Sequence, residues 1–164
     1  MVQARATRAA HGVAMIHYDA STTINRPASE VFDWLVDPVR MDRWTSMSDG
    51  RWLTGAPGRK GATIEASIHL GPITSKLAWE MTEYIPGERI AFTPLPGGLM
   101  RWFGSYDLSG DDAATVVRST GDIRFNGPLR LLEPLVRGEV ERGEAAEIEK
   151  LKAILELSQV PTTL

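Results

Sequence analysis

The chain has 164 residues, of which 43% are hydrophobic and 24% charged, with a formal net charge of -3 and no cysteine. This size favours one globular domain that buries roughly 70% of its unfolded surface, which leaves enough core to enclose a cavity. Charges of both signs are interspersed without a basic stripe, so we expect no nucleic-acid binding. The lack of cysteine excludes disulfides, thiolate nucleophiles and cysteine zinc sites, and it is compatible with a bacterial cytoplasm.

The ends of the chain differ in composition from its middle. Residues 1–14 hold two arginines, no acid and no apolar run long enough for a signal peptide or a membrane span. We therefore predict a flexible extension over 1–14, a single domain over 15–158, a tail over 159–164 and no transmembrane segment.

The first quarter of the domain has the pattern of a strand followed by two short helices. Residues 15–25 are rich in β-branched and aromatic types, which favours a strand. A helical pattern then begins near Pro27 and stops at Pro38. Asp37 is a suitable N-cap for a second short helix over 38–44.

Six further strands are predicted between the helices and residue 125. One is a short strand within the loop-rich segment 46–61. The others occupy 62–70, 73–85, 88–95, 100–109 and 114–125. Short glycine- and proline-containing turns separate these five, which predicts hairpins and an antiparallel sheet. Apolar and polar residues alternate along them, so one face of the sheet is expected to be covered and the other to meet water.

The run 129–157 has the pattern of one long amphipathic helix. Its predicted apolar stripe consists of Leu132, Val136, Val140, Gly143, Leu151 and Ile154. Pro134, Gly138 and Gly143 predict a bend or a broken start. Glu147 falls near the middle of the stripe and Glu144 at its edge. An apolar face that combines a missing side chain with a carboxylate indicates a lined cavity.

A seven-stranded antiparallel sheet with one apolar face needs a cover, and this helix is the one long amphipathic element that the sequence supplies. We therefore predict an α+β fold in which the sheet curls around the C-terminal helix.

Three phrases stand out in the chain: INRPASEVFDWLVDPVRMDRW at 24–44, WEMTEYIPGERIAF at 79–92 and EIEKLKAILE at 147–156. They resemble the START-like (SRPBCC) superfamily, and within it the polyketide cyclase/dehydrase type. The resemblance implies a helix-grip fold with a hydrophobic cavity between sheet and helix, whose relatives bind lipids, polyketides or sterols. It supplies no universal catalytic motif.

Glu147 is the candidate catalytic residue. A carboxylate buried in an apolar cavity has a raised pKa and serves either as a general acid/base or as an anchor for a ligand hydroxyl. The alternative is that its side chain, like that of Glu144, points out at the cavity mouth.

Inward-facing residues of the sheet and the helix are predicted to line the cavity. From the strands these are Ile64, Ile68, Trp79, Met81, Phe92, Trp102, Tyr106 and Ser119, and from the helix Val136, Val140, Gly143, Glu144, Glu147 and Leu151. Core packing is the alternative explanation for the aromatic residues. Tyr106 and Ser119 bring hydroxyls that need a partner when buried.

The hairpin tip 94–100 carries Leu95, Leu99 and Met100 at a turn where polar residues are usual. It is predicted to be a lid over the cavity or a docking tip for a partner, and the alternative is a loop folded back on its own sheet.

Three functions are compatible with this sequence. The first is binding of an apolar or aromatic small molecule, lipid- or polyketide-like, in the cavity. The second is a polyketide cyclase/aromatase or dehydratase with Glu147 as the proton carrier, and the third is a partner-binding module that uses the 94–100 tip. No metal or cofactor motif is present and the three histidines do not cluster, so we predict neither a metal nor a cofactor.

Overall fold

The computed structural model describes residues 15–70 and 72–157, except for the side chains of Leu70 and Ile73. The predicted extension 1–14 and tail 159–164 lie outside the described residues. The elements are β1 Ile16–Ile24, α1 Ala28–Val36, α2 Met41–Trp44, β2 Met47–Thr54, β3 Thr63–Leu70, β4 Ile73–Ile85, β5 Arg89–Pro94, β6 Met100–Gly110, β7 Thr115–Phe125, a 3-10 helix Gly127–Leu132, and α3 Glu133–Leu157.

The seven strands form one antiparallel sheet in the order β1-β7-β6-β5-β4-β3-β2. Alternate residues of most strands are buried, as in β1, where Ile16, Tyr18 and Ile24 face the core, whereas the edge strand β2 buries only Met47. The buried face is covered by α3, which packs against β1 and β7. The predicted α+β helix-grip architecture is confirmed. None of the helices in the described part of the chain combines the length and the apolar character needed to cross a membrane.

The second short helix begins later than the sequence predicted. A helix was expected from Pro38, but residues 38–40 form a turn and α2 starts at Met41. The turn is tight, because Arg40 N donates to Asp37 O and Met41 N donates to Pro38 O, both over three residues. Asp37 still caps it, since its Oδ1 accepts from Val39 N at 2.9 Å.

The long helix has the interrupted start that its prolines and glycines predicted, because a 3-10 helix precedes α3. Its predicted apolar stripe is partly wrong. Leu132 is 45% exposed, whereas Ile148 and Leu155, which the prediction missed, are buried with Leu151. These three residues have the i, i+3, i+7 spacing of one helical face, so the face that meets the sheet is rotated from the predicted one.

The C-terminal end of α3 is fastened to the sheet by Arg26, which is 7% exposed. Its Nη2 donates to the carbonyl oxygens of Leu155 and Glu156, which are otherwise free at the end of a helix. Asn25 N donates to Glu156 Oε1 at 2.9 Å, and Thr115 Oγ1 donates to Arg26 O at 2.8 Å. Asn25 and Arg26, which directly follow β1, thus hold the end of α3, and the backbone carbonyl of Arg26 is in turn bound by Thr115 of β7.

We expect Arg26→Gln to lower the free energy of unfolding by about 2–4 kcal/mol, because it removes charge-assisted bonds from buried helix carbonyls. Urea denaturation monitored by circular dichroism measures the change. Arg118→Gln is the control, since Arg118 pairs with Asp19 on the exposed face of the sheet and its loss should cost much less. Equal effects of the two substitutions would contradict this role for Arg26.

Candidate functional site

The centre of the concave face is filled by packed aromatic rings. Trp79 meets Trp102 edge-on at 5.4 Å between centroids, and Phe92 contacts both Trp102 at 6.1 Å and Tyr106 at 6.3 Å. All four side chains are at most 4% exposed. They occupy the middle of the concave face, so a cavity there has to lie towards one end of it.

A pair of glycines in adjacent strands makes room for one more aromatic ring. Gly104 of β6 lies opposite Gly121 of β7, and a Cβ at Gly121 would come within 2.4 Å of the Tyr18 hydroxyl oxygen. The Tyr18 ring therefore lies against bare backbone. Its hydroxyl accepts a hydrogen bond from Trp102 Nε1 at 2.6 Å, which fixes the indole ring on the concave face of the sheet.

A cavity of about 380 Å³ lies between the first half of α3 and the ends of β3, β6 and β7. Its lining residues are Ser46, Met47, Ile68, His69, Met100, Trp102, Ile123, Phe125, Val136, Glu139, Val140, Gly143, Glu144 and Glu147. The walls are mainly apolar, and most of the polar groups come from one face of α3. This composition is typical of a site for a small apolar ligand with a few oriented polar contacts.

The structure brings about half of the predicted lining residues to this cavity. Those that line it are Ile68, Trp102, Val136, Val140, Gly143, Glu144 and Glu147. The others are buried in the core away from it, namely Ile64, Trp79, Met81, Phe92, Tyr106, Ser119 and Leu151. Their inward orientation follows the strand alternation, but neighbouring side chains fill the space in front of them.

Six lining residues were not predicted: Ser46, Met47, His69, Ile123, Phe125 and Glu139. Ile123 and Phe125 belong to the alternating stripe of β7, and Glu139 lies one turn from Gly143 on the same helical face, so periodicity carried a signal for them. Ser46 and Met47 lie in a loop-rich segment with no such signal. His69 is exposed and lies at the edge of the cavity.

The hairpin tip 94–100 is tied to its neighbours. Leu95 N donates to Ala78 O at 2.8 Å, and Asn126 N donates to Leu99 O at 2.8 Å. Leu95 and Leu99 are half-buried, while Met100 is buried and lines the cavity. The tip is thus folded back on the sheet and supplies one wall residue.

Glu147 is used to hold two elements together. Its Oε1 accepts a hydrogen bond from Ser46 N at 2.7 Å, which joins the middle of α3 to the segment between α2 and β2. Burial raises the pKa of this carboxyl, and the bonds from Ser46 oppose that rise. One carboxylate oxygen of Glu147 is therefore already hydrogen-bonded within the protein.

Glu144 has a different environment. It is half-buried and faces the cavity, and no residue in the described part of the chain donates a hydrogen bond to it. Burial, followed by the charge of Glu147, raises its pKa to about 8. The carboxyl is therefore mostly protonated at neutral pH and can donate a hydrogen bond as well as accept one.

Hydroxyl groups lie beneath this carboxyl. Burial and then the charge of Glu144 raise the pKa of both Tyr18 and Tyr106, so both phenols stay neutral. Ser119 Oγ is close to these hydroxyls but forms no hydrogen bond of ordinary geometry. The core next to Glu144 is therefore uncharged, and the acidic groups that line the cavity itself are Glu139, Glu144 and Glu147.

The site offers no metal-ligand set: among residues 15–70 and 72–157, no three histidine, aspartate or glutamate side chains are grouped so as to hold an ion. The His69 ring is instead engaged by neutral hydroxyls, with Nδ1 at 3.0 Å from Thr74 Oγ1 and Nε2 at 3.3 Å from Ser48 Oγ.

Residues 15–156 match the family model described as polyketide cyclase / dehydrase and lipid transport. The chain belongs to this family. The match covers nearly all of the described residues and confirms the resemblance drawn from the sequence. No curated protein matches the chain.

Several solved structures share the fold of this chain at low sequence identity. The Zhui aromatase/cyclase from a Streptomyces species is 15% identical with a TM-score of 0.75, over 92% of this chain and 99% of that one. A START superfamily protein from Mycobacterium smegmatis is 10% identical with a TM-score of 0.72, over 89% and 100%. A conserved protein from Geobacillus kaustophilus is 15% identical with a TM-score of 0.67, over 87% and 96%.

The raised pKa of Glu144 makes stability depend on pH. Because the folded state holds this proton up to about pH 8 while the unfolded chain releases it near pH 4.5, the free energy of unfolding should fall as pH rises through that window. Glu144→Gln should remove much of this decline, which urea titrations at several pH values would show. Glu139→Gln, at the exposed rim of the same cavity, is the control. Parallel curves for wild type and Glu144→Gln would contradict the assignment.

Proposed function

We propose that this protein binds an apolar or aromatic small molecule, of lipid or polyketide type, in the cavity beneath α3. The observation that carries the proposal is an apolar cavity that contains the carboxyl group of Glu144, to which no residue of 15–70 or 72–157 donates a hydrogen bond. At about 380 Å³, the cavity falls in the range of small-molecule sites.

The polar groups suit a ligand that bears one or a few oxygens. Glu144, when protonated, can donate to a ligand carbonyl or hydroxyl oxygen, and the free lone pairs of Glu147 can accept from a hydroxyl. The apolar wall from Ile68, Met100 and Phe125 would bury the hydrocarbon part of the same ligand. A ligand of this kind gives the carboxyls of Glu144 and Glu147 hydrogen-bond partners. A pure hydrocarbon would leave them buried without partners.

Filling the cavity at Gly143 tests the binding role. A Cβ at this position would meet no atom within 4 Å, so the side chain of Gly143→Leu starts from the backbone without a clash and projects beside the cavity that Gly143 lines. We expect it to weaken binding of a fluorescent fatty-acid or polycyclic aromatic probe by about tenfold or more. It should also stabilise the fold by up to about 1 kcal/mol, because leucine favours a helix more than glycine does.

The control for this substitution is Ala146→Leu, on the exposed side of the same helix. It should change neither probe affinity nor stability appreciably. Probe titration followed by fluorescence, together with thermal unfolding, gives both quantities. Unchanged affinity in Gly143→Leu, or no binding of any apolar probe to the wild type, would contradict a ligand site beneath α3.

A second candidate is catalysis of a cyclisation or dehydration of a polyketide-like chain. The observation that favours it is the pKa of about 8 of Glu144, since proton transfer is most efficient when the pKa of the group lies near the working pH. Glu144 replaces Glu147 as the preferred proton carrier, because an oxygen of Glu147 already accepts from Ser46 N. The aromatase/cyclase among the similar structures adds weight to this class.

If this reaction takes place, Glu144→Gln should keep probe affinity within a few-fold and lower turnover of a poly-β-keto thioester by roughly two orders of magnitude or more. Product formation followed by chromatography measures it. Glu147→Gln should affect turnover less and stability more. Equal turnover in wild type and Glu144→Gln would exclude this carboxyl as the proton carrier.

A further inference from the structure

An exposed apolar surface lies where the chain enters α3, over residues 127–137. Leu131 is 82% exposed, Leu135 77% and Leu132 45%, and Pro128 and Pro134 are exposed beside them. The 3-10 helix Gly127–Leu132 buries none of its residues. Leucine side chains this exposed are a cost in water, and a contiguous group of them marks a surface that contacts something else.

The segment is nevertheless held in place. Glu133 is 3% exposed, and its Oε1 accepts from Phe125 N at 2.9 Å. Leu129 packs against the core, and Asn126 Nδ2 donates to Gly98 O at 3.0 Å. The leucines therefore project from a fixed base, which distinguishes this surface from a frayed helix end.

The exposed charged residues between 127 and 138 are positive, and the first exposed carboxylates, Glu139 and Glu141, follow one turn further along α3. Between residues 127 and 138 the one carboxylate is Glu133, which is buried and already hydrogen-bonded. Arg130 and Arg137 are exposed, and neither forms an ion pair with any residue in the described part of the chain.

We infer that this surface, the leucines Leu131, Leu132 and Leu135 with Arg130 and Arg137, docks on an anionic lipid membrane. Leucines that project outward can enter the acyl region, while arginines beside them reach the lipid phosphates. A second copy of the chain is a poor occupant, because a symmetric contact would place arginines against arginines. An acidic protein would match the arginines, but it would need a groove to receive three protruding side chains.

The position of this surface gives the docking a consequence for the cavity. Val136, which follows Leu135 directly, and Val140, one turn further along α3, line the cavity. A membrane against residues 127–137 would therefore lie beside the cavity mouth and allow an apolar ligand to pass without crossing water. Docking on a membrane does not require a ligand in the cavity, so it can be tested independently of the proposed ligand binding.

Vesicle flotation with the full chain tests the inference. We expect wild-type protein to float with vesicles of phosphatidylcholine mixed with phosphatidylglycerol and to bind less to phosphatidylcholine alone, with binding weakened by salt. The pair Leu131→Ser and Leu135→Ser should reduce binding by about tenfold or more. The pair Arg130→Gln and Arg137→Gln should remove the preference for the anionic lipid. Val39→Ser and Ile85→Ser, at apolar side chains that are 67% and 45% exposed elsewhere, should bind like wild type.

Three outcomes would overturn the inference. The first is wild-type protein that stays in solution with both kinds of vesicle. The second is binding that the arginine pair abolishes and the leucine pair leaves unchanged, which would mean electrostatic adsorption without insertion. The third is a dimer or a complex with an acidic protein that the leucine pair dissolves, in the absence of vesicle binding. Because all four residues are exposed, unchanged thermal unfolding of the variants would show that they remain folded.

Discussion

The architecture depends on the fastening of α3 to the sheet at one end. Arg26 holds the last carbonyls of the helix, and Ile148, Leu151 and Leu155 pack beside it. A helix of 25 residues is stiff and about 37 Å long. The contact at its C-terminal end therefore also sets the distance between its N-terminal half and the sheet. The first half meets the sheet less closely, and the cavity occupies the space beneath it.

Two carboxyls in an apolar cavity would repel each other and lose hydration if both were charged. The structure accommodates them in different ways. Glu147 is given a backbone donor from Ser46, whereas Glu144 is left without one and holds its proton instead. One acid therefore joins α3 to the strand side of the site, and the other is available to a ligand. This division of roles accounts for the presence of both residues on one helical face.

The fold and the site rest on different kinds of information. Solved structures that are 10–15% identical to this chain share its fold. Many different sequences can provide alternating apolar and polar residues in the strands and a long amphipathic helix. The cavity depends on individual volumes. Gly104 and Gly121 admit the Tyr18 ring, and Trp79, Phe92 and Tyr106 fill the centre, so the open space is displaced to the end near Met100 and Phe125.

The sequence by itself determined the seven strands, their hairpin order, the two short helices and the long covering helix, because each follows from a local period or a turn signal. It also placed Gly143, Glu144 and Glu147 together on α3. Only the tertiary structure decided that the helical face is rotated towards Ile148 and Leu155, that Glu147 binds Ser46 while Glu144 stays unpaired, and that half of the expected lining is solid core. A periodic pattern predicts which face of a helix or strand is turned inward. Packing against residues that are distant in the sequence decides how far the element is rotated and which of its inward residues line a cavity.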